Sequence, residues 1–223
     1  MEVNPLDYAA RIAYSSKEVL KFTYEMGLKY KDSPGVYCEC GVAAGAQVIA
    51  LAYAAPNKTI YAFDSFEGIP LPSNKDNQMP GIKFLSKEEQ SKLPNPGEQV
   101  LESSGATSVS YEDFWNHINA SGVSVKNIWG VQGWFEETIP RFVKDFFLDG
   151  NSISILRLDG DLYNSTYVCL KYLYPKVIKG GIVIVDDIQL PGCEAAVHDY
   201  FRDTNQIMPG RSWKDGIVYF YKP

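Results

Sequence analysis

The stretch "VYCECGVAAGAQVIALAYAAPNKTIYAFD", Val36 to Asp64, decides the fold. "VYCEC" is a short strand. "GVAAGAQVIALAYAA", Gly41 to Ala55, is the most apolar segment, yet it falls short of the roughly 20 residues a membrane span needs, so it reads as a buried helix. "APNK" is a turn, and "TIYAFD" is a second strand. Strand, helix and strand with joints this short make a βαβ unit, which implies a parallel sheet covered by helices.

Working outward, the same alternation continues. Ser16 to Tyr30 spaces Val19, Leu20, Phe22, Met26 and Leu28 as an amphipathic helix, ended by "DSPG". From Pro70 to about Thr107 the chain is rich in Pro, Gly, Ser, Asn and Lys. It reads as an irregular, lid-like insert with a short helix at "SKEEQSKL", Ser86 to Leu93. Order returns with a helix at "YEDFWNHINASG", a strand at "VKNIWGVQG", and a helix at "FEETIPRFVKDFF" that buries Phe135, Ile139, Phe142, Val143 and Phe146. Then come the strand "SILRLD", the helix "STYVCLKYLYPKV" closed by a "KGG" C-cap, the strand "IVIVDD", the helix "GCEAAVHDYFRD" and an edge strand in "SWKDGIVYFYKP". The expectation is one α/β domain over residues 1–223, with helices on both faces of the sheet.

The 223 residues suffice for one large core. A net charge of −6 with no basic stripe argues against a nucleic-acid partner. Cys38, Cys40, Cys169 and Cys193 show neither a C-x-x-C pair nor zinc spacing and read as buried free thiols. No apolar leader or membrane span is visible, so a soluble, cytoplasmic protein is expected. The sequence leaves the oligomeric state open, a homo-oligomer being compatible with it. His117 and His198 have no Ser/His/Asp arrangement around them and read as structural. Phe114 and Trp115 read either as helix core or as lining for an acceptor pocket.

Two features carry chemistry. Glu39-x-Gly41-x-x-x-Gly45 sits at a strand–helix turn, where glycine lets a ligand approach the backbone. Asp64, followed by Ser65, ends the next strand, where a carboxylate can accept from both hydroxyls of a ribose. Together they indicate a nucleoside-bearing cofactor. NAD and S-adenosylmethionine both fit, and Glu39 suits a cationic methionine moiety better than a diphosphate. The second feature is four carboxylates at two strand ends: "LRLDGD" ends in Asp159 and Asp161, "IVIVDD" in Asp186 and Asp187. Neighbouring strands lie roughly 4.8 Å apart, so these groups would share a crevice. Like charges at ~4 Å repel by about 4 kcal/mol at an effective dielectric of 20, which calls for protons or a cation. Hard oxygen ligands without His or Cys point to Mg²⁺. Asp159, Asp186 and Asp187 are the expected ligands. Asp161 is an outer group or general base, or else a helix cap, a role Asn164 or Ser165 could also fill.

These residues lie in blocks that resemble the macrocin O-methyltransferase family: "ECGVAAGAQ", "AFDSFEGIP", "VQGWFEETIP", "LRLDGDLYNSTYVCLKYLYPKVIKGGIVIVDD" and "PGCEAAVHDYF". The resemblance runs from about Pro34 to the C-terminus, excluding most of the insert. It implies a Rossmann-like class I methyltransferase fold with a mostly parallel sheet and an antiparallel last strand. It implies S-adenosylmethionine around Glu39, Gly41, Gly45, Asp64 and Ser65, with an adenine wall at Gly133, Trp134 and Phe135, and magnesium on Asp159, Asp186 and Asp187. The distantly similar catechol methyltransferases place a lysine base shortly after the first metal aspartate. Leu162 and Tyr163 stand there in this chain, so Asp161 is the candidate base, with Asp159 as fallback. The expected reaction is methylation of one hydroxyl of a vicinal diol, on a sugar of a glycoside or natural product. The alternatives are a glycosyltransferase that uses Asp-x-Asp to hold a metal and a nucleotide sugar, an NAD oxidoreductase, and a non-catalytic nucleoside-binding module.

Overall fold

The computed structural model describes residues 4–76, 92–95, 98, 101–147 and 150–223. Seven strands form one sheet in the order β3-β2-β1-β4-β5-β7-β6. They are β1 (Val36–Cys40), β2 (Ile60–Asp64), β3 (Ile128–Gln132), β4 (Ile153–Leu158), β5 (Val177–Val185), β6 (Ser212–Lys214) and β7 (Ile217–Tyr221). The first five run parallel, and β7 joins β5 antiparallel. The expected α/β class and antiparallel last strand are both present.

Strand alternation sends successive side chains to two separate cores. On one face Tyr37, Ile60, Ala62, Ile155, Ile182 and Ile184 pack against α1 (Pro5–Ile12), α2 (Lys17–Tyr30), α3 (Ala46–Ala54) and α4 (Tyr111–Ala120). On the other, Cys38, Cys40, Phe63, Leu156, Leu158, Val183 and Val185 pack against α5 (Phe135–Phe146), α6 (Tyr163–Leu173) and α7 (Pro191–Asp203). All four cysteines are free and buried. Phe114 belongs to the first core, with Trp115 packed on it. His117 bonds the Tyr8 hydroxyl at 2.9 Å, and His198 lies half exposed 3.8 Å from Glu194. Among the described residues no helix is long and apolar enough to cross a membrane.

Three local expectations need correction. The "KGG" segment does not cap a helix: α6 stops at Leu173, Pro175 follows in a short 3-10 turn, and Lys179 to Gly181 lie inside β5. Gly180, at φ 75°, supports the irregularity that lets Ile153 pair with Val177 while Ile155 pairs with Ile182. The C-terminal segment is a hairpin, not one edge strand. Asp215 and Gly216 both have positive φ, the two-residue turn that matches strand twist, and this leaves β7 inside the sheet and β6 at its edge. The helix α1, capped by Asn4, had no counterpart in the sequence reading. The short helix expected at Ser86 to Leu93 falls outside the described residues except for its last two.

The strand order reverses between β1 and β4, and in such sheets ligands bind at the carboxyl ends beside that switch. Gly41 marks the spot. It has φ 88°, and a Cβ on it would come 1.7 Å from the Asp159 carbonyl oxygen. Gly41→Ala therefore meets a backbone clash on top of about 1–3 kcal/mol of dihedral strain. Chemical denaturation should show a loss of at least that size, and an unchanged midpoint would contradict this packing.

Candidate active site

Arg157 organises the crevice. It is 0% exposed, on β4 between Leu156 and Leu158. Its Nη1 donates to Glu39 Oε1 at 3.0 Å and to Asp159 Oδ2 at 2.6 Å, and its Nη2 donates to Asp186 Oδ2. One guanidinium thus joins the ends of β1, β4 and β5. Sequence reasoning missed it, although a lone arginine inside an apolar strand is a signal, since such a charge must be paired.

Five carboxyl groups surround this single cation, and burial dominates all of them. Burial pushes Glu39 up to about 8 against the pull of Arg157. It raises Asp159 and Asp186 to about 6, again opposed by Arg157. Asp161 and Asp187 have no guanidinium on them. Burial and then neighbouring carboxylates hold that pair well above the usual carboxylate range. Asp159 is within hydrogen-bonding reach of both Asp186 and Asp187, and the Asp161 N–H donates to Asp187 Oδ2 at 3.2 Å. The four aspartates expected to converge do converge. Among the described residues, however, no three ligating side chains already surround one point as a metal shell. Arg157 holds one oxygen each of Asp159 and Asp186. The donor chemistry fits a hard divalent cation, because the remaining oxygens carry negative charge that only protons otherwise relieve.

A cavity of about 370 Å³ opens beside this crevice. Gly41, Asp64, Ser65, Trp134 and Phe135 line it together with Asp159, Asp161, Asp186 and Asp187. Asp64 is committed to backbone: Oδ2 accepts from Val42 N and Ala43 N, both at 2.9 Å, and Oδ1 from Phe66 N at 2.7 Å. It clamps the turn in which Ala43 holds φ 42°. The Ser65 hydroxyl closes its own turn, donating to Gly68 O at 3.0 Å. Three expected residues do not line this cavity. Glu39, bonded to Arg157, lines instead a small pocket beside it with Tyr14, Ser15, Gly41, Ala43 and Asp159. Gly45 faces Phe114, 2.9 Å from where a Cβ would be. Gly133 donates its N–H to Asp64 O at 2.9 Å, behind Trp134. Asp161 is no helix cap. It holds φ 56°, and the N-cap of α6 is Leu162, so neither Asn164 nor Ser165 serves there. Sequence reasoning also missed Tyr14, Ser15 and Ser16 between α1 and α2, and Asp215 and Gly216 of the C-terminal hairpin, which rim the same cavity.

Comparison with known proteins came to one family. The family model described as "Macrocin-O-methyltransferase (TylF)" matches residues 25–222. Mycinamicin III 3''-O-methyltransferase of Micromonospora griseorubida is 29% identical over 180 residues, 78% of this chain and 63% of that protein. An 8-demethyl-8-(2,3-dimethoxy-alpha-L-rhamnosyl)-tetracenomycin-C 4'-O-methyltransferase of Streptomyces olivaceus is 30% identical over 194 residues, 85% of this chain and 66% of that protein. The chain therefore spans about two thirds or less of the length of these relatives. Among solved structures, the O-methyltransferase NovP superposes with a TM-score of 0.69 at 25% identity, covering 93% of this chain and 80% of its own. The MycE methyltransferase in complex with Mg, SAH and mycinamycin VI shares the fold, with a TM-score of 0.55 at 12% identity over 99% of this chain and 55% of its own.

The raised carboxyl groups set a pH dependence. Their folded values lie above the unfolded range of about 4, so the folded state binds more protons between about pH 4 and 8. The stability this gives is full below the unfolded values and is lost as pH rises through about 6 to 8. Thermal melts in chelator should show Tm falling from pH 5.5 to pH 8.5, and a flat or rising profile would contradict the crowding. Arg157→Met should cost about 3–5 kcal/mol, the penalty for stranding buried partners of an ion pair. The loss should be larger at pH 8 than at pH 5.5, where the carboxyls can protonate.

Proposed function

The chain belongs to the macrocin O-methyltransferase family, and on that premise we propose that it transfers a methyl group from S-adenosylmethionine to a hydroxyl of a small-molecule sugar or glycoside, with Mg²⁺ as its metal. The observation that carries this is the group of under-compensated carboxylates opening into the same cavity as the glycine turn. The relatives' printed names support the reaction class, and MycE was crystallised with both Mg and SAH. The glycosyltransferase reading is not favoured, since neither the family nor these relatives point to it.

In this reading Trp134 and Phe135 supply the apolar wall for the adenine, and Asp64 keeps the turn in shape to receive the rest of the nucleoside. Its Oδ1 has one lone pair left beyond the Phe66 N–H, enough for one ribose hydroxyl. S-Adenosylmethionine supplies an already activated methyl group, so this chain mainly positions and deprotonates the acceptor hydroxyl. Asp159, Asp186 and Asp187 would hold the magnesium, which when bound lowers the pKa of an oxygen on it and orients it. Asp161, raised by burial and its neighbours, is poised to take the proton near neutral pH. Ile69, Pro70 and Thr107 line the cavity on the side of the irregular segment. The acceptor carries a vicinal diol and is methylated on one of its two oxygens.

The test is a matched pair of sugar acceptors, one with the diol and one lacking a single hydroxyl. The diol should react, and equal turnover of the mono-hydroxyl compound would sink the diol assignment. Asp161→Asn should lower kcat by roughly 100- to 10,000-fold, the usual contribution of a general base, with S-adenosylmethionine affinity unchanged. Full turnover in excess chelator would remove Mg²⁺ from the proposal.

A further inference from the structure

The turn that carries Asp159 and Asp161 is held at three backbone N–H groups. Asp159 N donates to the Cys40 carbonyl at 2.8 Å, and Asp161 N to Asp187 Oδ2 at 3.2 Å. The third is Tyr163, the first residue of α6. First-turn N–H groups of a helix need acceptors from outside the helix. The local N-cap, Leu162, offers no side-chain oxygen. The acceptor comes instead from 87 residues earlier in the chain: Asp76 Oδ1, at 2.8 Å.

Asp76 is 1% exposed. Its other oxygen accepts from Ser73 N at 2.9 Å and Ser73 Oγ at 2.7 Å. Space for it exists because residue 192 is glycine: a Cβ there would sit 2.0 Å from Asp76 Oδ1 and 3.4 Å from Tyr163 N. Lys75, next to it, pairs with Asp199 at 3.1 Å, and Asp199 also accepts the Tyr163 hydroxyl at 2.8 Å. The first turn of the irregular segment is therefore bonded to α6 and α7 on both sides of Tyr163. Three hydrogen bonds offset the cost of burying this carboxyl group. A serine or asparagine at 162 would cap α6 locally. What Asp76 adds is a fixed link between the segment that rims the cavity and the turn that carries the acidic groups.

We propose that Asp76 is a positioning residue for the active site: by capping α6 from outside, it sets the Asp159–Tyr163 turn and so the aim of the Asp159 and Asp161 carboxylates. The role of those carboxylates rests on the proposed function, whereas the backbone effect does not. The test follows amide exchange at Tyr163 by NMR, and Mg²⁺ and S-adenosylmethionine binding by calorimetry, in wild type, Asp76→Ala and Asp76→Asn. Asp76→Ala should speed Tyr163 exchange by roughly tenfold, as for one lost hydrogen bond. It should weaken Mg²⁺ by about 10- to 100-fold, as loss of an outer-sphere partner does, and leave S-adenosylmethionine affinity within about twofold. Asp76→Asn keeps an accepting oxygen for the Tyr163 N–H but turns its NH2 toward the Ser73 N–H, so it should restore both only in part. Should Asp76→Ala fail to fold, Gly192→Ala displaces the carboxylate with every polar group retained and should give the same pattern. Unchanged Tyr163 exchange overturns the proposal. So does an equal loss of both ligands in Asp76→Ala, the mark of a merely structural role. If wild type binds no Mg²⁺, the proposed function fails on that point, and Tyr163 exchange alone decides whether Asp76 positions the turn.

Discussion

Arg157, the last residue but one of β4, ends between Glu39, Asp159 and Asp186, so that one buried guanidinium touches the carboxyl ends of three adjacent parallel strands. In β1 and β4 it stands in register with Glu39, its partner across the ladder. Removing a buried charge's partner costs several kcal/mol, so these contacts specify where the three strand ends lie relative to one another. The constraint also fixes what remains open. Each guanidinium nitrogen used on Asp159 or Asp186 takes one carboxylate oxygen, while Asp161 and Asp187 receive none. Asp161 and Asp187, the carboxyl groups without a guanidinium, both line the cavity, where a ligand can reach them.

The same cavity shows how an α/β sheet converts topology into a binding site. Gly41 lets β1 and β4 approach at the switch point, and Asp64 holds the turn after Gly41 with two backbone bonds and its own turn with a third. The side with the glycine turn is built from β1, β2 and the start of α5. The acidic side is built from the ends of β4 and β5. The open rim is supplied by less regular chain: Tyr14 to Ser16, Ile69 and Pro70, and the Asp215–Gly216 hairpin. Fixed strand ends with an irregular rim suit a family whose relatives are named for different acceptors.

Much of this was legible in the sequence because period and punctuation carry it. The βαβ unit and the acidic strand ends follow from local patterns, and the structure places Asp159, Asp161, Asp186 and Asp187 together as those patterns required. What could not be read depended on register or on distant contacts. Arg157 was visible as an anomaly within "ILRLD", but its partners follow only from which residues stand opposite it. "KGG" was misread because glycines after a helix and glycines in a strand irregularity look alike until Pro175 is seen to end the helix first. Asp76 carries no local signature at all: its partner is a backbone N–H 87 residues away. Gly45 and Gly133 fell within recognisable blocks but serve packing and turn geometry, since a motif marks a neighbourhood rather than a contact.

In the proposed function the crevice carboxylates are crowded because they are built to hold a divalent cation. Cation binding must then displace the protons that burial holds there near neutral pH. Calorimetric titration of Mg²⁺ at pH 7 into the wild-type protein, with S-adenosylmethionine present and in two buffers of different ionisation enthalpy, reads affinity and proton release together. The expected result is one site, proton release on binding, and loss of both in Asp187→Ala. No binding, or binding without proton release that survives Asp187→Ala, would contradict it.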